Sequence, residues 1–303
     1  MPDPVASSPA GPKLTAKDYV FTGQFDHGKL EASFLSELKG TPKFSATSLD
    51  NFLVMIDMME KDKDVTDIRW MSYMLATSHW ETAAITSSKV AALDKKGHTL
   101  KDKSGKPLMK TLRLWRSMKP IRETGSGKGR RYELPVKVAP LLDGSATVVE
   151  QDGDEFRVAI SGSARLIARG DKADSKQGVL PTSAVSATYA KASGSELSYY
   201  GRGFVQLTWW ENYASIGAAV GLGLGLLLEP DRALDPEIAY KVMSYGMRTG
   251  KGFANGRKFA AYMQGDVTDY VGARAMVNGS DHQNDIADIA RKFETVLLAG
   301  KQR

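Results

Sequence analysis

The feature that most limits the fold is a change of hydrophobic period along the chain. Leu49, Phe52, Leu53, Ile56 and Met59 recur at helical spacing behind Thr47 or Ser48, either of which can cap a helix. A second helix starts at Thr66 or Asp67. It carries Ile68, Met71, Leu75 and Ser78 on one face and Trp70, Met74, Thr77 and Glu81 on another. From about 132 to 170 the period falls to two. Residues 147–150 and 155–160 read as a hairpin with Asp152-Gly153 at its turn, and Val136, Val138, Leu166 and Ile167 suggest two more short strands. Helical spacing then returns. Asp235 as N-cap, Pro236 at the first helical position and Gly250 past the end bracket one helix, with Ile238, Val242, Tyr245 and Met247 in its core. The last helix spans about 284–298, buries Ile286, Ile289, Phe293 and Val296, and stops at Gly300. Such a chain is mainly α, with a small β-rich insertion that stands apart from the helical core.

The remaining segments are less regular. The first 17 residues are rich in Pro, Ser and Ala and read as a loose tail, while 18–45 show no clear period. Residues 85–118 are basic, with a loop at 101–107, and 171–198 are rich in Ser, Ala, Lys and Gly and read as a return linker. No internal repeat is apparent. The N-terminus has no basic segment followed by an apolar run, so no secretory signal is expected. The apolar run at 216–228 is broken by four glycines and is too short to span a bilayer, so no stable membrane insertion is expected.

Composition narrows the chemistry. The chain has no cysteine, which excludes a disulfide scaffold, thiol catalysis and a cysteine-ligated metal. A net charge of +6 suits an anionic polymer or plain solubility, but no concentrated basic stripe marks a nucleic-acid module. No His/Asp/Glu cluster suggests a metal, and no cofactor motif is present. Gly125, Gly127, Lys128 and Gly129 lack the Gly-Lys-Ser/Thr ending of a phosphate loop.

Two places could carry a function. The first is residues 199–213, where Tyr200, Gly201, Arg202, Gly203, Gln206, Thr208, Trp209, Asn212 and Tyr213 crowd together. Aromatic faces and amides suit a sugar-binding cleft, but the same residues could form a packed turn. The second is Glu81, which ends a largely apolar helix face. It is either a surface residue at a helix end or an acid held in a cleft, where an apolar wall would favour its protonated form.

Four segments in order resemble glycoside hydrolase family 19, which includes chitinases and a phage branch of wall-degrading endolysins. Tyr200-Gly201-Arg202-Gly203-Phe204-Val205-Gln206-Leu207-Thr208, followed by Asn212-Tyr213, looks like the family signature. Residues 76–83 are similar to the helix end that bears its first catalytic Glu, and 119–124 look like the phage-branch segment with the second acid. Residues 274–279 resemble its Arg, apolar pair, Asn-Gly motif. The chain departs from the chitinases at Trp80, which stands where they have His, and at Ala83-Ala84, which replace glycines, and its segment between Glu81 and Glu123 is longer than in the phage relatives.

The resemblance implies a two-lobed, lysozyme-like helical domain assembled from 46–131 and 199–303. Residues 1–45 precede it, the insertion at 132–170 and linker at 171–198 interrupt it, and the insertion lies outside the resemblance. It implies an inverting glycosidase acting on β-1,4-linked N-acetylated aminosugars, with Glu81 as general acid and Glu123 as general base. Tyr200, Arg202, Gln206, Thr208, Trp209, Asn212, Tyr213 and Asn278 would hold substrate, and Arg274 and Asp281 would support the site. Arg202 could instead pair with a cleft carboxylate, and Asp281 could equally be the N-cap of the last helix. Peptidoglycan glycan strands are the expected partner. Chitin oligomers, or a non-catalytic glycan-binding or structural role, are the alternatives. A delivery apparatus or an immunity protein would be further partners. The expected setting is synthesis in the cytoplasm and action in the periplasm or wall, after lysis, holin release or injection.

Overall fold

The structure, a computed structural model, describes residues 14–130, 198–223 and 225–302, together with the backbone of short strands between 136 and 197. The chain is mainly α. Among the described residues its helices are α1 (His27–Glu37), α2 (Leu49–Lys61), α3 (Ile68–Glu81), α4 (Trp210–Ala219), α5 (Gly225–Leu228), α6 (Pro236–Thr249) and α7 (Gln283–Gly300). Helix α1 falls where the sequence shows no clear period. Asp26 accepts the Lys29 N–H as its N-cap, and Leu30 and Phe34 are its buried contacts.

Helix α3 is the centre of the core. Every residue from Ile68 to His79 except the half-buried Trp70 is buried, so both of its faces are covered. A helix covered all round must satisfy its polar side chains internally. Ser72 Oγ donates to the Ile68 carbonyl and Ser78 Oγ to that of Leu75. Helix α7 packs along α3 and also receives α1. Phe34, Phe52 and Phe293 join three helices, with ring centroids 4.6 Å apart for Phe34–Phe52 and 5.9 Å for Phe52–Phe293. At the N-terminus of α3, Asp67 accepts from the Arg69 backbone and binds its guanidinium. That buried guanidinium also reaches the Gly265 and Val267 carbonyls. The end signals of α6 act as expected: Asp235 caps the Ile238 N–H, and Gly250 turns left-handed at φ 75°.

The chain from 84 to 116 forms an antiparallel ribbon that the sequence did not announce. Strands β1 (Ala84–Ala91) and β2 (Met109–Arg116) pair from Ala84↔Arg116 to Ala91↔Met109. Most of the ribbon's side chains are exposed, so no alternation marked it. The ribbon leaves and returns at one clamp. Thr82 Oγ1 donates to the Ser78 carbonyl and accepts the Met118 N–H at 2.7 Å, and Asn51 Nδ2 donates to the Ser117 carbonyl.

Strand β3 (Ile121–Arg122) follows. The expected hairpin is present as β5 (Ala146–Asp152) and β6 (Glu155–Ile160), with Asp152 opposite Glu155 and a register shift between Val148 and Glu150. Strands β4 (Val136–Lys137) and β7 (Ile167–Gly170) pair with one another, while Val138 and Leu166 lie outside the described residues. The stretch read as a linker contains β8 (Gly178–Val179), β9 (Tyr189–Lys191) and β10 (Glu196–Leu197). They pair with β7, β6 and β4, so partner strands rather than β-favouring composition create them. Strand β11 (Arg202–Gly203) pairs with β3, and β12 (Met263–Gln264) with β13 (Val267–Thr268).

His79 locks α3 to the clamp. It is 1% exposed, its Nε2 donates to the Pro42 carbonyl at 3.0 Å, and its Nδ1 accepts from Ser117 Oγ at 2.9 Å. Burial pushes its pKa down from 6.5 to about 4; the Pro42 carbonyl opposes that shift and the Lys43 charge adds to it. The unfolded chain therefore binds a proton between those values that the folded chain refuses, and stability falls with pH through that window by roughly 3 kcal/mol. Urea unfolding should show the stability gap between wild type and His79→Gln shrinking by about that amount from pH 7 to pH 4. A constant gap would remove His79 as the source.

Candidate active site

Glu81 is the last residue of α3, so the buried helix fixes its position. Its side chain is 17% exposed and meets Arg274, itself 1% exposed, with Nη1 2.7 Å from Oε1. At this distance the contact is an ion pair. Arg274 lies in the 3-10 turn Gly272–Met276, and its Nε donates to the Asp281 carbonyl at 2.8 Å. Asp281 therefore meets Arg274 through its backbone carbonyl. It does not cap α7: His282 holds the N-cap position, with φ 53° and no side-chain cap. Tyr73 and Thr77 stand two turns and one turn before Glu81 on α3, and the charges of Arg274 and Glu81 both reach the Tyr73 hydroxyl. Burial, the largest influence, pushes that phenol well up.

Glu123 is held by the glycine-rich stretch. Its N–H donates to the Gly201 carbonyl at 2.7 Å, and its Oε2 accepts the Gly201 N–H at 3.0 Å. A Cβ on Gly201 would lie 2.9 Å from Gln206 Oε1 and 3.2 Å from Glu123 Oε2. The glycine is thus what allows the carboxylate and the Gln206 amide to close on the backbone. Gln206 itself sits at φ 52°, and its Nε2 donates to the carbonyls of Ile121 and Gly203. Trp209, at φ 69°, introduces α4. Two bulky residues at positive φ within four positions mark a backbone held by its surroundings.

Arg202 lies beneath this loop, 4% exposed. Its Nε donates to Asp231 Oδ1 at 2.8 Å, and its Nη1 donates to the Ser198 and Tyr200 carbonyls and to the Tyr213 hydroxyl. Its guanidinium lies 3.6 Å from the centre of the Tyr200 ring. Asp231 also takes Arg122 at 2.5 Å. Burial would raise the Asp231 pKa, but the hydrogen bonds from Arg122 and Arg202 outweigh it and hold the carboxyl below its usual range. Tyr213 is fully buried and donates to the Tyr200 carbonyl, and Asn212 Nδ2 donates to that of Thr208. Arg202, Asn212 and Tyr213 therefore shape the loop from behind.

The front of the loop faces a polar cavity of about 620 Å³, lined by Glu81, Glu123, Arg130, Gln206, Thr208 and Asn278 among others. Tyr200, Arg202, Trp209, Asn212, Tyr213 and Asp281 are not in its lining. A larger cavity, about 860 Å³, lies between α2, α4 and α6. Part of its polar lining is paired, with Tyr240 and Ser244 donating to Asp62 and Arg248 bound to Asp64. The segments singled out by motif converge on the smaller one.

Sequence reasoning missed three residues here. Asp231 is 29 positions from Arg202 and has no local signal. Arg130 lies outside every motif singled out above and lines the cavity. Lys43, at φ 62°, places Nζ 3.8 Å from the Trp80 ring centre and donates to the Trp80 carbonyl. Burial lowers its pKa, and the Arg274 charge adds to that while Glu81 opposes it. The structure also brings His27, Asp57 and Glu60 together, a grouping that no sequence spacing revealed. His27 Nε2 sits 3.3 Å from both Glu60 oxygens, and Glu60 accepts the Phe25 N–H, so mutual pairing accounts for the group.

Comparison with protein-family models, curated proteins and solved structures finds no match to this chain. Two carboxylates from distant segments on one polar cavity can support acid and base chemistry on a bond placed between them.

Gly201→Ala tests the packing behind Glu123. Overpacking should cost about 1–3 kcal/mol in urea unfolding. The control Gly23→Ala, whose Cβ would meet nothing within 4 Å, should stay within about 0.5 kcal/mol of wild type.

Proposed function

We propose that the protein is a glycoside hydrolase of the lysozyme and endolysin type, cleaving β-1,4 bonds between N-acetylated aminosugars of bacterial peptidoglycan. The observation that carries this reading is the meeting of Glu81 and Glu123 on one polar cavity, beside Gln206, Thr208 and Asn278. Those residues come from the four segments that resemble family 19. Amide, hydroxyl and guanidinium groups on the lining suit the hydroxyl and acetamido groups of a glycan, since each offers a directional partner. A two-lobed, lysozyme-like arrangement, with the cavity between lobes, belongs to the same proposal.

In this mechanism Glu81, protonated, gives its proton to the leaving glycosidic oxygen. Glu123, ionised, takes a proton from the water that attacks the anomeric carbon from the opposite face. The Gly201 N–H on Oε2 holds Glu123 in place for that water. Arg274 positions Glu81, and Asn278 orients the water or an acetamido group. Gln206 lines the cavity and serves the loop through the Ile121 and Gly203 carbonyls. The peptidoglycan-hydrolase reading also carries action in the periplasm or wall and the expectation of a release or injection route.

Zymography on purified wall should show clearing by wild type and a loss of roughly 10²–10⁴-fold in Glu81→Gln and in Glu123→Gln. Early product anomers read by NMR should be inverted. Mass spectrometry of reduced fragments would name the bond cut. Binding without clearing by wild type would favour a glycan-binding protein, and release from chitin oligomers alone would favour a chitinase.

A further inference from the structure

The ribbon that joins Glu81 to Glu123 carries a device of its own. Two octapeptides follow one another at its end: Leu93-Asp94-Lys95-Lys96-Gly97-His98-Thr99-Leu100 and Lys101-Asp102-Lys103-Ser104-Gly105-Lys106-Pro107-Leu108. The chain, in which no internal repeat was expected, thus carries a tandem pair. The structure shows that the two segments fold alike. Asp94 Oδ1 accepts the N–H groups of Lys96 and His98, and Asp102 Oδ1 those of Ser104 and Lys106. Gly97 and Gly105 turn at φ 86° and 82° and donate to the carbonyls of Asp94 and Asp102. Three backbone hydrogen bonds then close a ring: Ala92 N–H to Leu108, Leu108 to Leu100, and Leu100 to Ala92, at 2.7–2.8 Å. This tip is a built, closed structure.

Its surface is unusual in two ways at once. Residues 84–116 carry seven lysines and two arginines against two aspartates, a net of +7, whereas the whole chain carries +6. The remainder of the chain is therefore close to neutral, and the positive excess sits on this arm. All nine cationic side chains are exposed, and both aspartates are engaged by their own turns. The arm also exposes Ile85, Leu93, Leu100, Leu108 and Met109 at 42–56%, half of the large apolar side chains exposed among the described residues. Leu100 and Leu108 hold the same position in the two octapeptides and both belong to the hydrogen-bonded ring.

We propose that this arm docks on an anionic phospholipid surface, with its lysines at the headgroup phosphates and Leu93, Leu100 and Leu108 in the interfacial layer. Cationic groups interleaved with apolar ones match a bilayer interface, which offers negative charge above hydrocarbon. A purely anionic polymer would leave the leucines without a role. Stacking on single-stranded nucleic acid needs aromatic platforms, and Trp115, the arm's one aromatic, is half-buried at its base. Docking of this kind is peripheral, and no helix among the described residues is long and apolar enough to cross a membrane. The inference is independent of the catalytic reading.

The test is co-sedimentation of the full chain with phosphatidylcholine vesicles, with and without phosphatidylglycerol. Wild type should pellet only with the anionic vesicles, and less so at high salt. Each cationic side chain lost near such a surface costs roughly fivefold in binding, so Lys103→Glu with Lys106→Glu should weaken it by at least ~25-fold. Leu100→Ser with Leu108→Ser should weaken it by at least ~10-fold. Circular dichroism and the urea midpoint, which these exposed positions should leave unchanged, check that each variant is folded. Failure of wild type to pellet with anionic vesicles would overturn the proposal. So would a leucine variant that binds as wild type does while polyphosphate displaces both, since that marks simple polyanion binding.

Discussion

The contact between Glu81 and Arg274 is the interaction on which the arrangement depends. Both groups lie at the edge of the core, and taking either out of water alone costs several kcal/mol. Each makes the other tolerable: Arg274 is almost fully buried, and Glu81 is the carboxylate against it. The pair also joins the two halves of the chain, since Glu81 ends α3 and Arg274 precedes α7. Helices α3 and α7 are packed along their length, so their register sets the ion contact, and the contact in turn fixes which end of α3 opens on the cavity.

The second carboxylate is placed by different means. Glu123 directly follows the short strand β3, whose partner is the Arg202–Gly203 backbone, and Gly201 binds it twice. Arg202 holds that backbone from below through Asp231 and three oxygen acceptors. One acid thus stands on a rigid helix, while the other depends on a loop braced by a buried guanidinium. Between them the chain runs out along the ribbon and back, and the bonds of Thr82, Ser117 and Met118 close that excursion at its root. Most of the segment between Glu81 and Glu123 is therefore taken up by the arm.

Legibility followed the physics of each signal. Helices α3 and α6 announced themselves because caps and apolar periodicity agreed, as at Asp67, Asp235 and Gly250, and α7 by its apolar periodicity alone. The Arg202–Gly203 loop was recognisable by composition, but composition does not say which side of a loop faces solvent. Arg202, Asn212 and Tyr213 look like ligand groups in a string of letters and turn out to bond backbone and one another. Helix α1 was not anticipated: Leu30 and Phe34 are its only buried residues, too few to set a clear period in the mixed stretch around them. The ribbon was missed for a different reason: a two-stranded arm in water buries no face, so period two has nothing to act on. Asp231 could not have been found locally, since its role depends on a contact across 29 residues.

The octapeptide turns have a consequence for how such an arm can change. Each unit closes on its own aspartate and its own glycine, so its geometry does not depend on the helical body. A unit of that kind can be duplicated, deleted or exchanged as a cassette. Because the ribbon is sealed at its base, such edits would alter reach and surface chemistry while the carboxylates stay where α3 and the Gly201 backbone hold them. The arm is then the part of the molecule most open to variation, and the cavity the part most insulated from it.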